Sequence, residues 1–223
     1  MSETTDLKEL ERRAYRSFFK DGIWDICLGI MLLSLGVGGA ISRAGIARGY
    51  IIPDLHAITL SLYLLSMAVL IGGKKYITVP RLGAVRFGPA RRARLSASIL
   101  ILAGSALLGL VVFLLFARDS IPAGWLSART LGLLAFVVNC LVVFSLLAYF
   151  LDFRRLYGYA VLWAMAFPAA DAVAKYAELS RAVSFLVTVG ALASIMLATG
   201  LVLLIRFLRD YPLPAQQSCN GNA

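Results

Sequence analysis

A single histidine, His56, and three cysteines, Cys27, Cys140 and Cys219, are all that this 223-residue chain offers of the side chains that most often hold metals or serve as catalytic bases and nucleophiles. One histidine rules out a centre built on several, and the cysteines are too far apart for a paired zinc or redox motif. No metal and no cofactor is therefore expected, and the cysteines read as two small core side chains and one tail thiol. Charge is scarce as well. Asp, Glu, Lys and Arg make up 15% of the chain and hydrophobic residues 60%, whereas soluble domains carry about 25% charged residues. The first twenty residues are charged throughout and no short apolar core with a small-residue cleavage site follows, so no removable signal is expected and the first span stays as an anchor. Nowhere does the sequence gather an acid or nucleophile, a base and a third orienting group. No catalytic residue is assigned.

Long apolar runs are abundant. A helix crosses about 30 Å of hydrocarbon with roughly 20 apolar residues, and six runs qualify: Gly22–Ile41, Ile51–Gly72, Ser96–Phe116, Thr130–Phe150, Leu156–Ala174 and Ala182–Ile205. They are continuously apolar, without the alternation of a barrel strand. The expected fold is all-α, a polytopic bundle of about six transmembrane helices. It divides into a cytoplasmic N-terminal helix over 1–21, transmembrane hairpins over 22–72, 96–153 and 154–208, a basic cytoplasmic loop over 73–95, and a tail over 209–223.

The net charge of +10 becomes informative once split by loop, because Lys and Arg stay on the cytoplasmic side. Lys8, Arg12, Arg13, Arg16 and Lys20 precede the first span. Lys74, Lys75, Arg81, Arg86, Arg91, Arg92 and Arg94 follow the second, Arg154 and Arg155 the fourth, Arg206 and Arg209 the sixth. Both termini are expected in the cytoplasm of a bacterial inner membrane. This charge favours anionic lipid, with Arg91, Arg92 and Arg94 as headgroup contacts. No nucleic-acid motif accompanies it, so no nucleic-acid partner is expected. A second copy or another membrane protein is the remaining kind of partner.

Two soluble stretches have patterns of their own. "TDLKELERRAYRSFFK" sets Leu7, Leu10, Ala14 and Phe18 at three- and four-residue intervals, as an amphipathic helix does that either lies on the cytoplasmic bilayer surface or packs on the protein's own cytoplasmic loops. "KKYITVPRLGAVRFGPARRAR" has a short β-branched run, a Pro-to-Gly turn and a second extended run, which predicts a small cytoplasmic β-hairpin. The tail "DYPLPAQQSCNGNA" reads as disordered.

The pairing of "KDGIWDICLG" with "YITVPRLGAVRFGPAR" resembles a family of bacterial multi-pass integral membrane proteins that has no assigned activity. The resemblance covers those two stretches and implies membrane residence, but no substrate or cofactor.

Acids inside spans need explaining, since a carboxylate at mid-bilayer costs about 2.5 to 3.5 kcal/mol. Asp21 is placed to cap the first helix at the interface. Asp25 lies one turn deeper and is expected to pair with Arg81 or Arg154. Asp171 and Lys175, four apart near the outer end of the fifth span, form either an interfacial pair or a solute or proton site, with Asp54 and His56 on the same side. Asn139, at mid-span, is expected to bond a neighbouring helix, and Gly36, Gly38 and Gly39 to admit close packing. These features favour a non-enzymatic scaffold or lipid-contacting subunit. A small solute or proton-coupled transporter using Asp25, Asp171 and Lys175 comes second, and a lipid-acting enzyme third.

Overall fold

The computed structural model describes residues 19–44, 53–82, 89–117 and 128–212, and the regular elements among them are all helical. They are α1 (Ile23–Arg43), α2 (Pro53–Gly73), α3 (Val79–Leu82), α4 (Pro89–Ala117), α5 (Ala128–Phe150), α6 (Arg155–Tyr176) and α7 (Arg181–Asp210). A π-helical turn, Lys74–Thr78, joins α2 to α3. Six helices are long and apolar enough to cross a bilayer: Ile23–Ser42, Ala57–Arg81, Ala93–Val111, Thr130–Phe150, Arg155–Tyr176 and Arg181–Asp210. They match the six apolar runs of the sequence, with the second continuing past Gly72. Helix is the form in which such a run satisfies its own backbone without water.

The expected β-hairpin is not supported. Tyr76 to Val79, read as its first strand, lies in the π turn and the start of α3, and Arg91, Arg92 and Arg94 lie on α4 rather than in a loop. Strand preference reflects how a side chain fits a pleated, half-buried surface and is weak without one. A lone hairpin is marginal in water, whereas continuing the helix of α2 needs no partner. The second extended run, Ala84 to Phe87, lies outside the described residues, as do the N-terminal amphipathic stretch and the tail from residue 213.

The chain forms two compact units, Met1–Arg86 with Val173–Ala223, and Phe87–Ala172. In the first, α1 packs on both α2 and α7. Small residues set that packing. A Cβ at Gly29 would lie 2.9 Å from Leu197 and one at Gly36 3.0 Å from Val189, while Gly38 faces Thr59 of α2. Early α1 residues thus meet late α7 residues, so the two helices are antiparallel. Gly73 of α2 likewise meets Ile23. The start of α1 and the ends of α2 and α7 therefore share one end of this unit. On α7, Val189, Ala193, Met196, Gly200 and Phe207 are buried at three-, four- and seven-residue intervals, which keeps them on one face.

In the second unit, Asn139 of α5 donates through its Nδ2 to Ser105 Oγ of α4 at 3.1 Å, and that hydroxyl reaches Asn139 Oδ1 at 3.3 Å. Phe136 meets Phe167 edge-on at 4.5 Å, and Phe144 lies 5.4 Å from Trp163, tying α5 to α6. Between these helices Asp152 adopts φ 51°. The Phe153 amide bonds to the Ala148 carbonyl and the Asp152 amide to the Tyr149 carbonyl, closing α5 with a Schellman motif in which Asp takes the place usual for Gly. Buried Phe153 supplies its apolar contact. Along α4, Leu100 is 70% exposed and Leu107 62%, as suits a surface facing lipid.

Candidate functional site

The site grows out of "FFKDGIWDICLG". Gly22 is the N-cap of α1 and takes φ 74°, a left-handed conformation that glycine adopts without strain. Space demands glycine there too. A Cβ would collide with the Gly200 carbonyl oxygen and lie 2.9 Å from the Leu204 nitrogen, both backbone atoms of α7. The chain thus enters α1 pressed against α7, and this turns the preceding residue, Asp21, inward. Asp21 is wholly buried. It is not the expected interfacial cap: it precedes the N-cap, and its Oδ1 accepts from the Ile23 amide at 3.2 Å.

Its other oxygen is taken by α2's continuation. Lys74 Nζ stands 2.6 Å from Asp21 Oδ2, and Thr78 Oγ1 donates to the same oxygen at 2.5 Å. Both donors come from the π turn. Pro80 gives that turn a cause: it has no amide hydrogen, and its ring crowds the carbonyl four residues back. A wider turn before it relieves the crowding, and such π bulges recur at functional positions. Within this turn the Val79 amide bonds to the Lys74 carbonyl, five residues back. Phe19, also buried, lies under the ammonium group, with its ring centre 5.8 Å from Lys74 Nζ and 6.0 Å from the Trp24 ring. The pair is sheltered: the Lys74 side chain is 12% exposed and that of Asp21 0%.

Lys74 falls inside the apolar span Ala57–Arg81, where a charge is costly without an internal counterion.

Asp25 lies one turn further into α1 and is wholly buried. Its Cβ packs on Gly200, where an added methyl group would come within 3.0 Å, and its charge also bears on Lys74. Of its two expected partners, Arg81 belongs to the same unit, standing on α3 with its Nη1 donating to the Ile77 carbonyl at 3.2 Å. Arg154 is exposed and belongs to the other unit. Asp171 is half-buried on α6, and exposed Lys175 follows one turn later with its Nζ 5.9 Å from the Tyr176 ring centre. Arg94 is exposed near the start of α4, while the side chains of Arg91, Arg92, Asp54 and His56 lie outside the described residues.

Lys74 and Thr78 are thus the residues that reading the sequence missed. A signal for them exists: continued as a helix, "KKYITVPRL" sets Lys74, Thr78 and Arg81 at four- and three-residue intervals. The β-branched run masked it.

Chemically, the arrangement puts two buried carboxylates beside one sheltered ammonium group and a hydroxyl. It suits a charge lock between helices, or a protonation site, better than attack on a substrate, since the Thr78 hydroxyl proton is engaged by Asp21. Among the described residues no three His, Cys, Asp or Glu side chains converge to hold a metal ion. No family model, no curated protein and no solved structure matches the chain.

Proposed function

We propose that this chain is a non-enzymatic, multi-pass inner-membrane protein, a scaffold or lipid-contacting subunit, in which the Asp21–Lys74 pair clasps the helix ends of the first unit. The observation that carries this reading is the full engagement of Asp21. Its carboxylate accepts from Lys74, Thr78 and the Ile23 amide, so its charge is spent on holding α1 to the end of α2. The concentration of Lys20, Lys74, Lys75, Arg81, Arg206 and Arg209 at that end supports placing it, with both termini, in the cytoplasm. Reporter fusions after Gly73 and after Asp210 should both report cytoplasm, and an outer location for either refutes the orientation.

A proton-coupled transporter is the second reading, favoured by Asp25, a wholly buried acid inside a span of the kind that relays protons. Reconstitution separates the two. Wild-type protein in liposomes under an imposed proton gradient, followed by a trapped pH dye, should dissipate it no faster than the Asp25→Asn variant. Faster dissipation that Asp25→Asn abolishes would overturn the scaffold reading.

A further inference from the structure

Helix α2 changes the face it turns to α1 as it enters the π turn. Thr59 meets Gly38, Ser66 reaches Cys27 and Gly73 meets Ile23, a line of seven-residue steps that an α-helix keeps on nearly one face. Half-buried Tyr63 and Leu70 form the flanking line. Continued as α, these lines run to Pro80 and Ile77. The buried side is instead occupied by Thr78, with Arg81 half-buried, while Pro80 is exposed and Val79 is 40% exposed. The π turn, whose bond runs from the Val79 amide to the Lys74 carbonyl, spends one extra residue. Every later residue is thereby carried back by about 100°, the angle one residue covers in an α-helix.

The same residues therefore have two registers. In the π register Thr78 and Arg81 take the buried side; in an α register Ile77 would turn in, Val79 would stand opposite it, and Thr78 would leave Asp21. Two features hold the π register. Pro80 penalises α, because its ring crowds the carbonyl four residues back, and this offsets the general preference for α over π turns. Thr78 donates to Asp21 Oδ2, and a bond to a charged acceptor is among the stronger ones. That acceptor is placed from another helix. Gly22, packed against the Gly200 carbonyl and the Leu204 nitrogen of α7, turns Asp21 inward.

We propose that the end of α2 is a two-register latch that reads how α1 seats on α7. With α1 seated, Asp21 reaches Thr78 and the π register holds. When α1 lifts from α7, Asp21 withdraws, the α register takes over and α3 rotates. Lys74 lies ahead of the extra residue and keeps its direction in both registers, so it is the Thr78 bond that distinguishes them. The latch rests on the Asp21 contacts and is indifferent to whether the protein is a scaffold or a transporter; the liposome and fusion experiments can fail without touching it.

Thiol reactivity reads the register. Ile77→Cys and Val79→Cys, each in a full chain carrying Cys219→Ser so that the native cysteines left are the buried Cys27 and Cys140, would be reacted in detergent with N-ethylmaleimide. Pro80→Ala, which removes the penalty on α, should leave both rates near wild type while Thr78 still holds. Adding Thr78→Val, or Gly200→Ala on α7, should slow Ile77→Cys and speed Val79→Cys, moving their rate ratio about tenfold, as loss of one charge-assisted hydrogen bond implies. Unchanged rates in Thr78→Val/Pro80→Ala overturn the latch. So does a rise at both positions, which marks an end that has unwound rather than turned, and so does a full shift by Pro80→Ala alone, which leaves Asp21 no part in holding the register. A shift with Thr78→Val but none with Gly200→Ala overturns the link to α7. If Gly200→Ala fails to fold, Gly29→Ala, whose Cβ would press on Leu197 of α7, decides in its place.

Discussion

Lys74→Met tests the clasp most directly. It replaces a cation 2.6 Å from Asp21 Oδ2 with an apolar side chain of similar length. Forming a buried pair gains little over an apolar substitute, because desolvation offsets attraction, but removing one partner strands the other at a cost of about 3 to 5 kcal/mol. The two partners should differ. Lys74→Met leaves Asp21 charged at 0% exposure, with Thr78 and the Ile23 amide as its remaining donors, and withdraws a cation whose charge Asp25 also feels. That loss belongs at the upper end, about 4 to 5 kcal/mol. Asp21→Asn keeps an acceptor for Thr78 and leaves an ammonium group that is 12% exposed and still near the charge of Asp25, so about 3 kcal/mol is expected. The double variant should cost about 1 to 2 kcal/mol, far below the sum, since neither charge is then stranded. Unfolding by SDS in mixed micelles, read through tryptophan fluorescence, measures all three, and Trp24 lies beside the cluster. If either single variant stays within about 0.5 kcal/mol of wild type, or the double is additive, the clasp contributes nothing specific and the reasoning is refuted.

Other outcomes follow from packing. Gly22→Ala should destabilise by more than about 2 kcal/mol, since it combines positive φ with a collision on the α7 backbone. Gly200→Ala, whose Cβ would lie 2.8 Å from the Ile26 nitrogen, should also destabilise. Gly104→Ala, with nothing within 4 Å, should match wild type or gain slightly from helix propensity, and the same SDS titration ranks them. A ranking in which Gly104→Ala is as harmful as Gly22→Ala would sink the assignment of the α1–α7 contact. Asn139→Leu should cost about 0.6 kcal/mol, the typical worth of a hydrogen bond between membrane helices. A loss of several kcal/mol by thermal or SDS unfolding would mean that Asn139 does more than bond Ser105.

The helices were legible because their signal is redundant. Twenty apolar residues in succession satisfy one requirement many times over, so the six runs and the six long helices coincide over most of their length, with the largest departure at the end of α2. There the signals conflicted. Ile77, Thr78 and Val79 suggest a strand and Pro80 a turn, while the demand for backbone hydrogen bonds at the membrane edge continues the helix, with the π turn reconciling helix and proline. The site was half legible. Two acids at the start of a span announce a partner, and Asp25 drew attention because it lies deeper. Yet Asp21 accepts the clasp, because Gly22 turns the chain back against α7, and a positive φ at a glycine leaves no mark on periodicity. Lys74 was hidden for another reason: a lysine just past a span reads as a topology signal, and nothing in its neighbours reveals that it folds back onto a carboxylate.

Why the first unit should need an ionic clasp follows from the solvent. Between helices in lipid there is no hydrophobic drive, because the tails are as apolar as leucine, and association depends on close packing and polar contacts. Gly22, Gly29 and Gly36 meet α7 at seven-residue intervals, a spacing that returns to nearly the same helix face each time. These contacts set how deeply α1 seats on α7. On α2, Gly73 meets Ile23 at one end, Thr59 meets Gly38 at the other and Ser66 reaches Cys27 between them, so its rotation is set by directional contacts as well as by packing. Lys74 and Thr78, converging on one carboxylate oxygen, add to that direction, because turning α2 by one residue would swing both donors away from Asp21. The clasp therefore acts on register more than on net stability, the best-attested use of a buried charge. A repacked Lys74→Met/Asp21→Leu pair should accordingly regain most of the lost stability but loosen the α1–α2 contact. Disulfide trapping between cysteines introduced at Gly38 and Thr59 would show it as slower or mixed-register cross-linking, and trapping at the wild-type rate would assign the pair to stability alone.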